Sequence, residues 1–180
     1  LGVNTETVGR WKNEVENVVT SDENYRWKIL MSVEERYRSV PRIAQEARAA
    51  GYNILLHSDI DMYFRKSLDG FVDIVRSHDV SIMFREQNPE KTRVLGAYMG
   101  FLLNDNSEKF LKSWADQIDS IAPKDKPRGF GQISFYKAYL EHKETCHWGR
   151  LDVLPESPKI SKSRDPNADI WVGNSNEGRN

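Results

Sequence analysis

Two aspartates, Asp59 and Asp61, are the residues of this chain best placed to do chemistry. They follow the apolar run of residues 53–58, which reads Asn-Ile-Leu-Leu-His-Ser. In a β-strand, residues two apart point to the same face, so both carboxylates would share one side of the chain. Two negative charges at the end of a buried strand need compensation, and a hard divalent cation such as Mn²⁺ or Mg²⁺ is the usual one. The spacing therefore predicts a metal site, with a pair of solvated acids at a strand-to-turn junction as the alternative.

The composition limits the classes of function. With 180 residues, of which 38% are hydrophobic and 29% charged, the chain is long enough for one substantial core, and we predict a single domain over residues 1–180. Lys and Arg together number 26 against 27 Asp and Glu, which gives a net charge of -1, so we expect no nucleic-acid partner. Cys146 is the only cysteine, which excludes an internal disulfide framework and a cysteine-based zinc site.

The N-terminus and the hydrophobic pattern bear on location. The sequence begins at Leu1 and not at methionine, so the first predicted strand is expected to be truncated. No apolar run reaches the roughly 18 residues of a membrane span and no signal peptide is recognisable, so we expect no membrane segment within this chain. The single cysteine fits a reducing compartment or a protein that is indifferent to redox state. A cytoplasmic location is expected, with membrane association through regions or partners outside this chain left open.

Strands and helices are predicted to alternate along the first half of the chain. The elements are a strand ending at Val3, a helix capped by Asn4 or Thr5, a strand over Tyr25–Ser32, a helix that begins at Ser39 with Pro41 and stops at Gly51, and the acidic strand itself. Two βα units followed by a continuously apolar strand are typical of a parallel sheet covered by helices on both faces. The sequence thus predicts an α/β, Rossmann-like fold with a mostly parallel central sheet.

The second half is predicted to continue the sheet. Its elements are a helix opened by Ser67, a strand over Val80–Phe84, an apolar run over Val94–Leu103, a helix capped by Asn106, an amphipathic helix that carries Ile133, Tyr136 and Leu140, a loop over Pro155–Asp169 and a last element at Ile170–Val172. Gly96 and Gly100 interrupt the run from Val94, and glycines inside a strand often mark a bulge or a ligand close to the backbone. In an open α/β sheet, ligands lie beyond the carboxyl ends of the strands, where Asp59 and Asp61 would stand.

The acidic strand and several blocks around it resemble the nucleotide-sugar transferases of the GT-A fold, whose strand ends in an Asp-x-Asp motif. The blocks are the basic segment Arg38–Arg42, the run Met99–Asn104 with Phe110–Trp114 behind it, the segment Gly129–Gln132, and the tail Ile170–Asn174 with Gly178 and Arg179. The resemblance covers nearly the whole chain and implies a GT-A-like single domain. It also implies a metal-dependent glycosyltransferase that moves a sugar from a nucleotide-diphosphate sugar to a carbohydrate or glycoconjugate acceptor.

The resemblance also implies roles for particular residues. Asp61 would bind Mn²⁺ or Mg²⁺ directly, and Asp59 would contact the ribose or the metal through water. Asn174 would supply a further oxygen to the metal, and Arg179 would neutralise diphosphate charge. Gln132 would contact the substrate as the catalytic candidate. The remaining donor-binding candidates lie at the end of the first strand, in the basic segment, in the glycine-interrupted run and in the tail: Val3, Asn4, Thr5, Arg42, Gly100 and Gly178.

Two positions differ from the family pattern. Gly131 stands where the family has an Asp before Gln132, and the tail has no histidine where many members place a metal ligand. These differences favour a second hypothesis, a GT-A-like binding or scaffold module that has lost catalytic activity. A metal-dependent phosphohydrolase that uses the same two carboxylates is a third hypothesis, which fits the acids and not the other blocks. The sugar, the nucleotide, the acceptor and the stereochemical outcome stay open.

Two further sets of residues have structural and functional interpretations. His57 is expected to be a hydrogen-bonded strand histidine, with a catalytic role as the alternative. Arg36, Arg38 and Arg42 are expected to form a solvated helix face, with contact between one of them and a phosphate as the alternative.

Overall fold

The computed structural model describes residues 21–59, 62–89, 93–154, 157–161 and 165–172. The predicted first strand and the helix after Asn4 or Thr5 lie outside these residues. The helices are α1 (Ser21–Ala49), α2 (Asp69–Ser77), α3 (Asp105–Asp119) and α4 (Phe130–His142). The strands are β1 (Ile54–Ser58), β2 (Met62–Phe64), β3 (Val80–Phe84), β4 (Val94–Leu102), β5 (Trp148–Arg150), β6 (Ile160–Ser161) and β7 (Ile170–Val172).

Helix α1 replaces two predicted elements. The strand predicted over Tyr25–Ser32 and the helix start predicted at Ser39 are both wrong, because one 29-residue helix runs through them with Pro41 inside. From residue 30 onward its buried apolar side chains recur at helical spacing, at Leu30, Tyr37, Val40 and Ala44. Packing of this stripe against the core outweighs the local preference of proline for a helix start. The predicted stop is confirmed, since the helix ends before Gly51, which adopts a left-handed φ of 87°.

The main sheet is mixed, so the prediction of a mostly parallel sheet is wrong. Its strand order is β1-β4-β3-β5. Strand β4 pairs antiparallel with both β1 and β3, and only β3 and β5 pair in parallel. Residues 85–93 join β3 to β4, and this link is shorter than the dozen or so residues that a parallel crossover needs. A second sheet, with the order β2-β7-β6, contains one antiparallel and one parallel pair.

Helices pack against both faces of the main sheet. Helix α2 places Phe71 and Val75 under Gly100 of β4, in a smaller core that also contains Tyr98 and Ile170. Helices α1, α3 and α4 cover the other face, where the larger core lies. Its largest members are aromatic and come from the strands and all three helices: Tyr37, Phe84, Phe101, Phe110, Trp114, Phe130 and Phe135. The prediction of an α/β fold is confirmed at this level.

Three local predictions need correction. Helix α3 is capped by Asn104, not Asn106: the Asn104 side chain accepts a hydrogen bond from the Ser107 backbone amide. Helix α4 exists where predicted, but Leu140 is 47% exposed. Its buried side chains follow a different face of the helix, formed by Phe130, Ser134, Phe135 and Ala138. The predicted loop over 155–169 contains β6, whereas β7 at residues 170–172 is confirmed.

Strand β4 carries the irregularity that its glycines predicted. Ile82 stands opposite Met99 and Phe84 stands opposite Val94, so β4 has extra residues between these two pairs and Gly96 is among them.

No helix in the described part of the chain combines the length and hydrophobicity that a membrane span requires.

A buried carboxylate, Asp79, joins three elements at the start of β3. It accepts hydrogen bonds from the side chains of Asn104 and Asn106 and from the backbone amide of His147. Burial raises the pKa of Asp79, but these hydrogen bonds lower it by more, so the net pKa lies below its ordinary value. Cys146 is buried nearby, and burial, with the Asp79 charge as a second cause, raises the pKa of its thiol to about 11.

Candidate functional site

The acidic strand ends where the sequence predicted. Strand β1 ends at Ser58, and Asp59 follows it directly. The strand is half-buried and not fully buried, with β4 as its neighbour in the sheet. The Asp59 carboxylate accepts a hydrogen bond from Nη1 of Arg36 on α1 at 2.5 Å. The acid at the strand end is therefore neutralised by an arginine that lies 23 residues earlier in the sequence. Asp61 lies outside the described residues.

A cavity of about 500 Å³ opens between α1 and the start of α4. Its walls carry two arginines, an amide and two glycines, and they are formed by Val33, Arg36, Tyr37, Arg128, Gly129, Gly131 and Gln132. Gln132, the predicted catalytic residue, thus shares a cavity with the arginine that binds Asp59. The guanidinium groups of Arg36 and Arg128 suit an anionic ligand that carries several oxygens.

Tyr37 holds Arg36 at the edge of this cavity. The Tyr37 hydroxyl accepts a hydrogen bond from Arg36 Nη2 at 2.5 Å, and the guanidinium carbon lies 4.4 Å from the centroid of the Tyr37 ring. The ring itself is 4% exposed and packs on Trp114, with the two ring centroids 5.0 Å apart. Burial raises the pKa of Tyr37, so its hydroxyl stays protonated at neutral pH. Arg36 is thereby fixed by a carboxylate on one edge and by an aromatic ring beneath it.

The backbone of Gly131 lies directly against the ring of Tyr37. A Cβ at position 131 would lie closer than 3.0 Å to two carbons of the Tyr37 ring and 3.2 Å from its Cζ. A Cβ at Gly96 would lie 2.7 Å from the Tyr37 hydroxyl and 3.6 Å from Cγ of Gln132. Trp114 Nε1 donates a hydrogen bond to the Gly131 carbonyl at 3.0 Å, which fixes this backbone. Gly131 therefore admits the tyrosine ring that supports Arg36.

A buried ion pair joins the two walls of the cavity. Lys126, in the loop before α4, lies with its Nζ 3.2 Å from the carboxylate of Glu34 on α1, and both side chains are fully buried. Lys126 also donates a hydrogen bond to the carbonyl of Ile118 on α3 at 2.7 Å. This pair fixes the segment that leads to Arg128 against the helix that carries Arg36.

His57, on β1, lies beside Arg36 of α1. Its ring centroid is 6.4 Å from that of Tyr37, and its Nε2 is buried without a hydrogen-bond partner among the described residues. Burial and the Arg36 charge lower the pKa of His57 to about 4, so the imidazole is neutral at pH 7. The expectation of a hydrogen-bonded strand histidine therefore does not hold for Nε2.

Two predicted donor-binding residues lie away from the cavity. Arg42 binds Glu46 at 2.7 Å on the surface of α1, and its side chain is 61% exposed. At Gly100, the space that a side chain would fill is taken by Val75 and Phe71 of α2, on the opposite face of the sheet from Tyr37. The remaining predicted site residues lie outside the described part of the chain: Val3, Asn4, Thr5, Asp61, Asn174, Gly178 and Arg179.

Sequence reasoning missed Tyr37 and Arg128. A local signal existed for Arg128, which directly precedes the Gly129–Gln132 block. No local signal identifies Tyr37, because its role depends on contacts with Gly96 and Gly131, which are distant in the sequence.

The donor atoms present are only part of a metal site. Carboxylate oxygens suit Mn²⁺ or Mg²⁺, and Asp59 supplies one carboxylate, which Arg36 engages. Within the described residues no three or more His, Cys, Asp or Glu side chains are grouped to hold a metal ion, a set that does not include Asp61 and Asn174. Asp59 therefore fits the chemistry of such a cation as one ligand of a set whose other predicted members lie outside the described residues.

Comparison with protein-family models, with curated proteins and with solved structures found no significant match to this chain.

Proposed function

We propose that this chain is a metal-dependent glycosyltransferase that transfers a sugar from a nucleotide-diphosphate sugar to a carbohydrate or glycoconjugate acceptor. The observation that carries the proposal is the link from Asp59, at the end of β1, through Arg36 to a cavity that also contains Arg128 and Gln132. The cavity volume of about 500 Å³ falls within the roughly 300–1,000 Å³ typical of small-ligand sites. The resemblance of the acidic strand and its flanking blocks to GT-A transferases supports the same assignment.

The two arginines would bind the diphosphate of the donor. A guanidinium offers several N–H donors in a planar fork, so Arg36 and Arg128 can each contact two phosphate oxygens. The amide of Gln132 can both donate and accept, which suits the hydroxyl groups of a sugar. These residues would hold the donor with its diphosphate towards Asp59.

Asp59, Asp61 and Asn174 would hold the cation. When bound, Mn²⁺ or Mg²⁺ supplies positive charge that stabilises the diphosphate as it leaves the sugar. Arg36 and Arg128 would also stabilise the leaving diphosphate, because both place positive charge on the cavity wall. Tyr37 would keep Arg36 oriented, since its protonated hydroxyl and its ring contact the guanidinium from one side.

A melting-temperature screen tests this proposal. UDP, GDP and ADP are each added with and without Mn²⁺ or Mg²⁺, and CMP serves as the monophosphate control. Metal and the matching diphosphate together should raise the melting temperature more than either alone, because they share one site on the folded state. A ligand at about 100 times its Kd adds about 2.7 kcal/mol, which corresponds to roughly 5–10 °C for a chain of this size.

Asp61→Asn sharpens the screen. It should abolish the metal-dependent part of the shift, because it removes a charge that attracts the cation while keeping the volume. Asp116→Asn is the matched control, since Asp116 is 63% exposed on α3 and pairs there with Lys112. The proposal fails if none of the diphosphates binds, or if the Asp61 variant responds to metal as the wild type does.

The scaffold hypothesis is the second candidate, and the packing at Gly131 favours it. Tyr37 fills the space next to this position, so a carboxylate cannot stand there without displacing the ring. Binding of metal and diphosphate without turnover of the corresponding sugar nucleotides would support a binding module. Release of free sugar or transfer to an added glycan, measured by mass spectrometry, would support the enzyme.

A further inference from the structure

Two histidines lie side by side where α2 meets β5. His78 directly follows α2, His147 directly precedes β5, and the centroids of their rings are 4.5 Å apart. We propose that this pair binds a divalent metal that prefers nitrogen ligands, with Zn²⁺ as the representative ion, and that the bound ion links α2 to β5. Strands β1 and β5 are the two edges of the main sheet, so the pair lies at the opposite edge from Asp59. The inference does not depend on the proposed function.

The His78 ring is held in the orientation of a metal ligand. Its Nδ1 lies 2.8 Å from the carbonyl oxygen of Ile74, in the last turn of α2. A carbonyl oxygen only accepts, so Nδ1 carries the proton and Nε2 carries the lone pair of the neutral ring. Hydrogen bonds of this kind orient the metal-binding histidines of proteins. The ring also packs over Gly149 of β5, where an added Cβ would lie 3.1 Å from His78 Cγ.

Asp79 fixes the backbone of His147 beside that ring. The amide of His147 donates a hydrogen bond to the Asp79 carboxylate at 2.8 Å, and its carbonyl accepts one from the Asp79 amide at 2.8 Å. Because Asp79 directly follows His78, these bonds fix the spacing between the two histidines. The carboxylate also places a negative charge beside the pair, which favours a cation. The His147 side chain is exposed, so it can rotate to turn a ring nitrogen towards His78 Nε2.

The distance between the rings matches two ligands of one ion. With metal–nitrogen bonds of about 2.1 Å, each ring centre stands about 3.2 Å from the ion, and two rings about 90–110° apart have centres about 4.5–5.2 Å apart. The observed separation is 4.5 Å. The pair supplies two ligands, and water completes the four positions of zinc. Imidazole suits zinc, copper and nickel ions, whereas Mg²⁺ and Mn²⁺ prefer carboxylate and water, so the pair selects against the cations of the proposed function.

Isothermal titration of Zn²⁺ into the chain without a histidine tag tests the site. Excess Mg²⁺ is present throughout, so that carboxylate sites are occupied. The wild type should bind one Zn²⁺ per chain with micromolar affinity. His78→Gln and His147→Gln should each weaken binding by at least about tenfold, since the loss of a group that merely orients a ligand already costs about 10–100-fold. Circular dichroism checks that each variant is folded.

Two variants are matched controls. His142→Gln removes a histidine whose ring packs edge-on against Phe110 at the end of α4, with the two ring centroids 6.1 Å apart. Cys146→Ala removes the thiol next to His147, which is buried and directed at the Asn106 carbonyl. Both should bind Zn²⁺ as the wild type does.

Nitrogen NMR of the histidine rings locates the ion in the wild type itself. Zn²⁺ should shift the ring-nitrogen signals of His78 and His147, with the Nδ1–H of His78 retained, because Ile74 keeps that proton. The signals of His57 and His142 should not move. This measurement needs no substitution, so it decides the matter even where a variant fails to fold.

Three results would overturn the proposal. The first is a wild type without saturable Zn²⁺ binding, and the second is unchanged affinity in a folded His78→Gln or His147→Gln protein. The third is a loss in His142→Gln as large as in those two variants, which would mean that zinc binds exposed histidines without a specific site. If both variants fail to fold, unshifted nitrogen signals from either ring of the pair would overturn it.

Discussion

The fit between Gly131 and Tyr37 predicts that a single methyl group at position 131 destabilises the protein. In Gly131→Ala, the new Cβ would lie closer than 3.0 Å to two carbons of the Tyr37 ring. The ring is closely packed, because Tyr37 is 4% exposed, its ring centroid lies 5.0 Å from that of Trp114, and its hydroxyl lies next to Gly96. The methyl group can be admitted only if the ring or helix α4 shifts.

The size of the effect follows from two opposing contributions. Overpacking a dense core costs about 1–3 kcal/mol. Alanine favours a helix over glycine by at most about 1 kcal/mol, and by less here because Gly131 is the second residue of α4. We expect Gly131→Ala to lower the free energy of unfolding by about 1–2 kcal/mol and the melting temperature by roughly 2–8 °C. Urea unfolding followed by tryptophan fluorescence measures this change.

A double-mutant cycle identifies the contact responsible. Tyr37→Leu alone should cost about 2–4 kcal/mol, because it leaves a cavity beside Trp114. In the double variant Gly131→Ala/Tyr37→Leu, the methyl group has space, so the two losses should fall short of additivity by about 1–2 kcal/mol. A Gly131→Ala protein as stable as the wild type, or a strictly additive double variant, would refute the reasoning.

Three further predictions follow from buried polar groups. Lys126→Met should lower the free energy of unfolding, measured by urea unfolding, by about 3–5 kcal/mol, because Glu34 loses a buried counter-charge. The double variant Lys126→Met/Glu34→Leu should recover much of that loss. Asp79→Asn should be less stable than the wild type at pH 7. The folded pKa of Asp79 lies below the unfolded value of about 3.9, so this difference in stability should persist above about pH 4 and shrink as the pH falls further. Urea unfolding at pH 7, 5 and 3 measures it. Cys146 should react with a thiol reagent at pH 8 only after unfolding, because burial raises its pKa to about 11; rapid labelling of the native protein would contradict this.

Several elements of the fold could be predicted from local sequence patterns alone. The apolar run before Asp59 predicted β1, the i, i+3, i+4 spacing around Phe71 predicted α2, and the run over 80–84 predicted β3. Gly51 predicted the end of α1 because a left-handed residue is needed there. These features depend on neighbours a few residues away, which the sequence shows directly.

Predictions from the sequence were wrong for features that depend on packing between residues far apart in the chain. Nothing local shows that residues 25–32 continue into the helix that contains Pro41, because the buried stripe of α1 is recognised only against the core that it contacts. Apolar runs specify strands but not their direction, so the antiparallel placement of β4 between β1 and β3 could not be deduced from them.

The candidate site was decided almost wholly by tertiary structure. Asp59 and Gln132 were identified from the sequence, but Arg36 links Asp59 to the cavity across 23 residues, and Tyr37 supports that arginine only because Gly131 leaves room for its ring. An ion pair and a close ring-to-backbone contact depend on distances of a few ångströms between elements. Residue spacing fixes such distances within one helix or strand, whereas between elements they are set by how the core packs.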